Sequence, residues 1–375
     1  MKILVISSNY PNSISPQLGT FVYRLIQEFV KMNNEVFVIS PQKKRTGKYL
    51  SKHYGKEKAI VFRPTYWSFS NKKVLNWNTY SLTNLFTSRA IKKTILRHEI
   101  VPDIIYCHFI NSALTYLKSS PKSKIPIFVA VGEYKNIDIV RSYYQESKYE
   151  EYLDKITGFI AVSMQVKKKL LDIGVPKEKI LIAQNGVDLD TFKPQNKIEL
   201  RQKYKIPLNQ KIVIFIGRFL EQKGPLRALE AVEKQNDNVG IICIGKGPQK
   251  IEGDRVLFQG VLPHKQVAEY LALSDIFILP TLHEGSSNVI VEAIASGLPI
   301  ISSNIPEIRE QCNSSFSILV DPLNIDQIYT AVKTLTTNNE LRISMSKNAL
   351  KKSSDFNLSV RTEKILKFIN DNLES

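Results

Sequence analysis

Residues 276–304 read IFILPTLHEGSSNVIVEAIASGLPIISSN. The run from Ile276 to Pro280 is apolar without interruption, as in a strand buried on both faces. A loop turns at Gly285. Ser286, Ser287 and Asn288 then stand where a helix needs N-cap oxygens, and NVIVEAIASG carries helical apolar spacing up to a stop at Gly297. PIISSN is apolar again. Strand, helix and strand in so short a span predict a parallel crossover unit. Glu284 falls before the helix and Glu292 about two turns inside it.

The same alternation extends in both directions. Upstream, strands are expected at KILVISS, EVFVIS, DIIYCHF, PIFVAVG and GFIAVS, with helical patterns between them such as FVYRLIQEFVKM and TNLFTSRAIKKTILRHE. ILIAQNGVDLDTFKPQNK then supplies a strand, an Asn-Gly turn and a polar run with Pro194. A second series follows: KIVIFIGR, VGIICIGKG, VLFQG, IFILPT and PIISSN. The expected architecture is α/β, two doubly wound Rossmann-like domains facing a central cleft. Their boundaries are expected at 1–187 and 188–355, with a C-terminal helix in 356–375 packing back toward the first domain. Ligands of such sheets bind outside the carboxyl ends of the strands.

At 375 residues and 43% apolar content the chain can bury two cores. Its three cysteines, Cys107, Cys243 and Cys312, are far apart, which argues against a disulfide framework or zinc site and fits a reducing cytoplasm. MKILVISSNYP is too short an apolar run for a signal peptide, and no stretch is long enough to span a membrane. The net charge of +17 suits phosphates or an anionic membrane surface, or is general surface lysine. From Lys43 to Lys73 bases dominate and the single acid is Glu57; aromatic residues are interleaved, and Trp67 and Trp77 are the only tryptophans. Charges with rings suit a peripheral site at a lipid boundary. Nucleic acid is not expected, since no recognition signature accompanies the window.

In FIGRFLEQKGPLRALEAV the strand ends at Gly217, and Arg218 and Lys223 follow before Gly224 and Pro225 open a helix. Two cations beside a helix N-terminus could hold a diphosphate, or could be solvated loop bases. CIGKGPQK places Gly245 and Gly247 after another strand, but Lys250 stands where a dinucleotide fingerprint needs its third glycine. A tight turn approaching a ligand or another loop accounts for that pair. At the tip of the helix after Gly285, free amides and the two glutamates could cradle a phosphate flanked by hydroxyl-bearing groups.

Taken together, Gly217-Arg218 with Lys223-Gly224, Gly245-x-Gly247-Pro248, and Glu284-Gly285 with Glu292 resemble family 4 of the retaining glycosyltransferases. EGSSNVIVEAIASGLPII is similar to that family's signature almost residue for residue, and AVS at Ala161–Ser163 and NGVDLDTFKP extend the resemblance over nearly the whole chain. The resemblance implies a GT-B fold with a nucleotide-sugar-binding C-terminal domain and an acceptor-binding N-terminal one. It implies that Arg218 and Lys223 hold the diphosphate, Glu292 the ribose and Glu284 the transferred sugar, with His108 on the N-terminal side completing the catalytic set. The implied donor-binding residues are Gly19, Gly217, Gly245, Gly285, Ser286, Ser287, Asn288 and Glu292. No metal or cofactor is implied, and Asp188 to Asp190 look structural. A UDP- or GDP-sugar would be the donor, and a glycan or lipid-linked hydroxyl the acceptor, in cell-surface polysaccharide synthesis.

The N-terminal half departs from the pattern. Gly19 stands alone where relatives often carry a glycine pair, and Gly132-Glu133 replaces a common histidine–glycine. Glu133 is the acceptor-side candidate in its place. The Gly132-Glu133 departure keeps one alternative open, a non-catalytic partner subunit at the membrane; a GT-B epimerase or phosphorylase is the other, against which the Arg218, Lys223, Glu284 and Glu292 set argues.

Overall fold

A computed structural model describes residues 1–13, 15, 18–44, 58–69, 73–74, 77–78, 80–132 and 134–374. Glu133 and the stretch of the basic–aromatic window from Arg45 to Glu57 lie outside the described residues. The chain forms two compact units, Met1–Ala183 with Thr362–Ser375, and Gln184–Arg361.

The first unit is built on a parallel sheet of strands β1 (Lys2–Ile6), β2 (Glu35–Ile39), β3 (Ile60–Phe62), β4 (Ile104–His108), β5 (Ile127–Val131), β6 (Gly158–Ala161) and β7 (Ile180–Ile182). Their order across the sheet is β7-β6-β5-β4-β1-β2-β3. Helices α1 (Thr20–Lys31), α2 (Tyr80–Arg97) and α3 (Ile110–Ser119) belong to its crossovers. Alternate residues of β1 enter different cores: Leu4 and Ile6 join Ile105 and Cys107, while Ile3 and Val5 join Ile104 and Tyr106. Both faces are buried, which explains why these strands read as continuous apolar runs.

The second unit repeats the plan with β8 (Lys211–Ile216), β9 (Val239–Ile244), β10 (Val256–Gly260), β11 (Ile276–Leu279), β12 (Ile300–Ser303) and β13 (Ser317–Val320), ordered β10-β9-β8-β11-β12-β13. Its helices include α4 (Pro225–Glu233), α5 (His264–Leu273) and α6 (Asn288–Ala295). In each sheet the strand order reverses beside the first strand of its series, between β1 and β4 and between β8 and β11. That switch point is where loops splay apart and leave a crevice.

Two details differ from the expectation. The units exchange chain at 183/184 and 361/362 instead of 187/188 and 355/356. Val187 is the reason: its N–H donates to Phe356 O at 2.8 Å and its carbonyl accepts from Leu358 N–H at 3.0 Å, tying both crossings into the second unit. The last helix, α7 (Leu358–Asp371), therefore straddles the exchange, and its Ile365 and Ile369 enter the core of the first unit. Strands β3 and β13 were not expected; both lie at sheet edges and are only partly buried, so their apolar signal is diluted.

No described helix is long and apolar enough to cross a membrane. All three cysteines are buried and unpaired. Burial pushes the Cys243 and Cys312 thiols up to about 12 and raises Cys107 as well. The thiolate is the nucleophile, so a disulfide-based thiol reagent at pH 8 should label none of them in the native protein and all three after denaturation. Rapid native labelling would contradict this burial.

Candidate functional site

The second unit's switch point brings together the loops after β8 and β11, which carry most of the candidate residues. Gly224, with φ of +72°, opens α4 after a short turn over Glu221–Lys223. A Cβ there would stand 2.4 Å from Pro280 O, so only glycine lets the two loops meet this closely. Arg227, buried in the first turns of α4, fastens them: its Nη2 donates to Glu221 O at 2.8 Å and to Pro280 O at 3.0 Å, and its Nη1 pairs with the Glu221 carboxylate. Leu282 N–H and Thr281 Oγ1 both donate to Gln222 O, at 2.8 and 3.1 Å.

This fastening sets Lys223 Nζ 2.5 Å from Glu284 Oε1, with the two side chains only 17% and 10% exposed. The sequence suggested separate partners for these residues; the structure joins them. Arg218 is different. It is exposed at the end of β8, and its guanidinium engages no group among the described residues. It is thus the uncommitted cation of the loop.

Gly245 has a structural task. With φ of +151°, its Cβ would stand 1.8 Å from Gly217 O, and one on Gly247 would stand 2.2 Å from Phe219 O. Backbone bonds join the two loops, Gly217 N–H to Ile244 O at 3.0 Å and Phe219 N–H to Lys246 O at 3.0 Å. Approach to another loop, one of the two options open at the sequence level, is what the glycine pair provides.

Helix α6 begins with Ser287 as N-cap, without a side-chain capping bond. Ser287 N–H instead donates to Gln311 Oε1 at 2.8 Å, and Gln311 Nε2 returns bonds to Ser287 O and Ser286 Oγ, each at 3.2 Å. Asn185 Nδ2 donates to Ser286 O at 3.0 Å. Ser287 N–H is therefore occupied, while those of Gly285 and Ser286 meet no acceptor among the described residues. Asn288 is the first residue of the helix. One turn further in, Glu292 Oε1 lies 3.1 Å from His264 Nε2, the imidazole being held edge-on by Phe192 with ring centroids 4.8 Å apart.

His264, Gln311, Arg227 and Asn185 were not singled out from the sequence. His264, Gln311 and Asn185 each act on a residue that was, across separations of 28, 24 and 101 positions, while Arg227 acts on the loop itself through Pro280 O, 53 positions away. No local spacing encodes such pairings.

In the first unit the candidates also gather at the switch point. Gly19, with φ of +65°, precedes α1, and a Cβ on it would fall 2.1 Å from Asn9 O. His108 ends β4, is 5% exposed, and has the rings of Phe21, Tyr106 and Phe109 within 5.2, 6.2 and 5.2 Å of its own. Phe109 then adopts φ 71°, ψ 146°, a conformation that costs a non-glycine residue about 1–3 kcal/mol. Gly132 accommodates its ring: a Cβ there would be 3.1 Å from it.

Two family models match the chain. Residues 18–191 match Glycosyltransferase Family 4, and residues 196–352 match Glycosyl transferases group 1. A Bacillus subtilis glycosyltransferase provisionally assigned to teichuronic acid biosynthesis, TuaC, is 26% identical over 88% of both chains. An Escherichia coli UDP-Gal:α-D-GlcNAc-diphosphoundecaprenol α-1,3-galactosyltransferase is 32% identical over 52% of this chain and 54% of its own. The structure of HepE from Anabaena, solved with UDP-glucose, superposes with a TM-score of 0.74 at 16% identity, covering 99% of this chain and 100% of the other.

Proposed function

We propose that this chain, which belongs to glycosyltransferase family 4 and has the GT-B fold, transfers a sugar with retention of configuration from a nucleoside-diphosphate sugar to a hydroxyl of a lipid-linked glycan. Its relatives make it a glycosyltransferase of polysaccharide or glycolipid biosynthesis. The observation that carries the finer reading is the Lys223–Glu284 pair, which joins the loop after β8, where Arg218 stands, to the loop that leads into α6. The second unit would hold the donor and the first the acceptor. The donor is a UDP- or GDP-sugar: the E. coli relative is named for UDP-Gal, and a Mycobacterium tuberculosis relative is GDP-mannose-dependent.

The charge balance supports diphosphate departure. Lys223 and Glu284 are together neutral, but an ammonium has three donors and Glu284 takes one. The others, with the Arg218 guanidinium and the Gly285 and Ser286 N–H groups, can meet the phosphate oxygens. As the C1–O bond to the diphosphate breaks, negative charge grows on that oxygen and is stabilised more than in the ground state. The acceptor hydroxyl attacks C1 from the same face and passes its proton to the departing phosphate oxygen. Side chains and amides supply the positive field, so the reading needs no metal or cofactor. Glu284 would face the transferred sugar and Glu292 the ribose. The family resemblance would give His108 a catalytic role, Gly19 a donor-binding role and Glu133 an acceptor-side role.

The test is incubation of purified protein with UDP- and GDP-sugars and a polyprenyl-diphosphate-linked sugar, with the product anomer assigned by NMR. Transfer with the donor's configuration kept is expected. An inverted product would refute retention. A product whose sugar is only epimerised or phosphorolysed would favour the other enzyme classes. Absence of both donor hydrolysis and transfer would favour the non-catalytic subunit.

A further inference from the structure

The peptide group between Ser286 and Ser287 is held from two sides. Its carbonyl accepts from Asn185 Nδ2 at 3.0 Å, and its N–H donates to Gln311 Oε1 at 2.8 Å. A peptide unit is planar, so fixing both ends fixes its plane. Asn185 comes from the segment that enters the second unit. Gln311 comes from the turn that follows β12 and the short helix Pro306–Arg309.

Gln311 is 2% exposed, and both of its amide protons are engaged. A backbone N–H can only donate, so the contact from Ser287 N–H identifies Oε1 and fixes which way the amide faces. Nε2 then donates to Ser287 O and to Ser286 Oγ, each at 3.2 Å. A residue that served only to cap α6 would take the Ser287 N–H; the bond to Ser286 Oγ does something more. That oxygen accepts from Gln311 and must turn its own proton elsewhere. No described residue accepts the proton, and Ser286 is partly exposed. A carboxylate or carbonyl in place of Nε2 would have drawn it inward; a buried amide donor presents it outward. The N–H groups of Gly285 and Ser286 also meet no acceptor among the described residues. Three donors thus stand on two consecutive residues beside Glu284, a set that matches the oxygens of an anion.

We propose that Gln311 is a positioning residue: it orients the Ser286 hydroxyl so that its proton joins the Gly285 and Ser286 N–H groups on the donor's diphosphate. Asn185 steadies the peptide from which that hydroxyl projects. The inference rests on the donor reading above and adds to it a hydroxyl contact. An O–H donor to an ionised oxygen is short and strong, and it strengthens further as the departing diphosphate gains charge.

Calorimetry with UDP and GDP on wild type, S286A, Q311E and S286A/Q311E tests this, with melting midpoints as the folding control. S286A should bind the nucleotide about 30-fold more weakly at an unchanged midpoint, the worth of one charge-assisted hydrogen bond. In Q311E the Ser287 N–H keeps the new carboxylate ionised, and that carboxylate can only accept from Ser286, drawing the hydroxyl proton inward. Q311E should therefore lose about 30-fold as well, and S286A/Q311E should fall no more than about threefold below S286A. Losses that multiply in the double variant would mean that the carboxylate acts by charge or by disturbing the fold, which would overturn the positioning role. Full affinity in S286A would overturn the hydroxyl contact. Should Q311E not melt cooperatively, uncharged Q311M takes its place, and a loss that persists in S286A/Q311M counts against Gln311 in the same way. Wild type that binds neither nucleotide would remove the donor reading and this inference with it; the other failures leave the donor reading standing.

Discussion

Arg218→Ala is expected to lower kcat/KM by about 10²–10³ while leaving the denaturation midpoint unchanged. The guanidinium is exposed and engages no described protein group, so its removal costs the fold nothing. Lys223→Ala should lose a similar amount of activity and also stability. Its partner Glu284, only 10% exposed, would be left with an uncompensated charge. Complete burial would make that loss about 3–5 kcal/mol, and the residual exposure brings it to about 2 kcal/mol. The double variant Lys223→Ala, Glu284→Gln should recover the stability but not the activity. Turnover, urea midpoints and a fit of kcat and KM separate the two effects. Wild-type kcat in Arg218→Ala would remove the residue from the reaction, and an unchanged midpoint in Lys223→Ala would mean the ion pair contributes nothing to the fold.

Glu292→Ala should weaken nucleoside-diphosphate binding by about 100-fold, the worth of two hydrogen bonds from a ribose diol to a carboxylate. His264→Ala should cost about tenfold through the same carboxylate, since Nε2 lies 3.1 Å from one oxygen and fixes the direction of the other. The conservative variant His264→Gln keeps an N–H donor, now an amide, at a similar reach and should restore most of the affinity. Calorimetry with UDP or GDP and their 2′,3′-dideoxy forms gives the decisive comparison. If the carboxylate reads ribose hydroxyls, both Ala variants lose affinity for the ribonucleotide and little for the dideoxy form. Equal losses for both nucleotides would assign His264 a purely structural role. Full affinity in Glu292→Ala would end the ribose assignment itself.

The strands that the sequence shows best are those buried on both faces. β1, β4, β8 and β11 are continuous apolar runs because each stands inside its sheet. β3 and β13 are hidden at the edges, where partial exposure relaxes the choice of residues. Helix α2 was legible as a helix, but its orientation was not. Helical spacing is the same whichever face is turned inward, and hydrogen bonds within the protein explain why Asn84 and Thr87 are buried: Asn84 donates to Tyr144 Oη and accepts from Thr115 Oγ1, and Thr87 Oγ1 donates to Thr83 O.

The site divides in the same way. Residue type and adjacency determined that two cations follow one strand, and that two glutamates bracket the start of a helix after another. Repetition of strand and helix determined that each loop lies at a carboxyl edge. Which of these groups meet was decided by the tertiary structure. β11 lies beside β8 because the chain crosses the sheet between them, and that crossing sets Lys223 against Glu284 and leaves Arg218 uncommitted. His264 reaches Glu292, and Gln311 takes the Ser287 amide, by the packing of elements far apart in the chain. Local pattern follows from backbone periodicity and can be read along the sequence; hydrogen bonds between distant side chains depend on where a whole sheet places its loops.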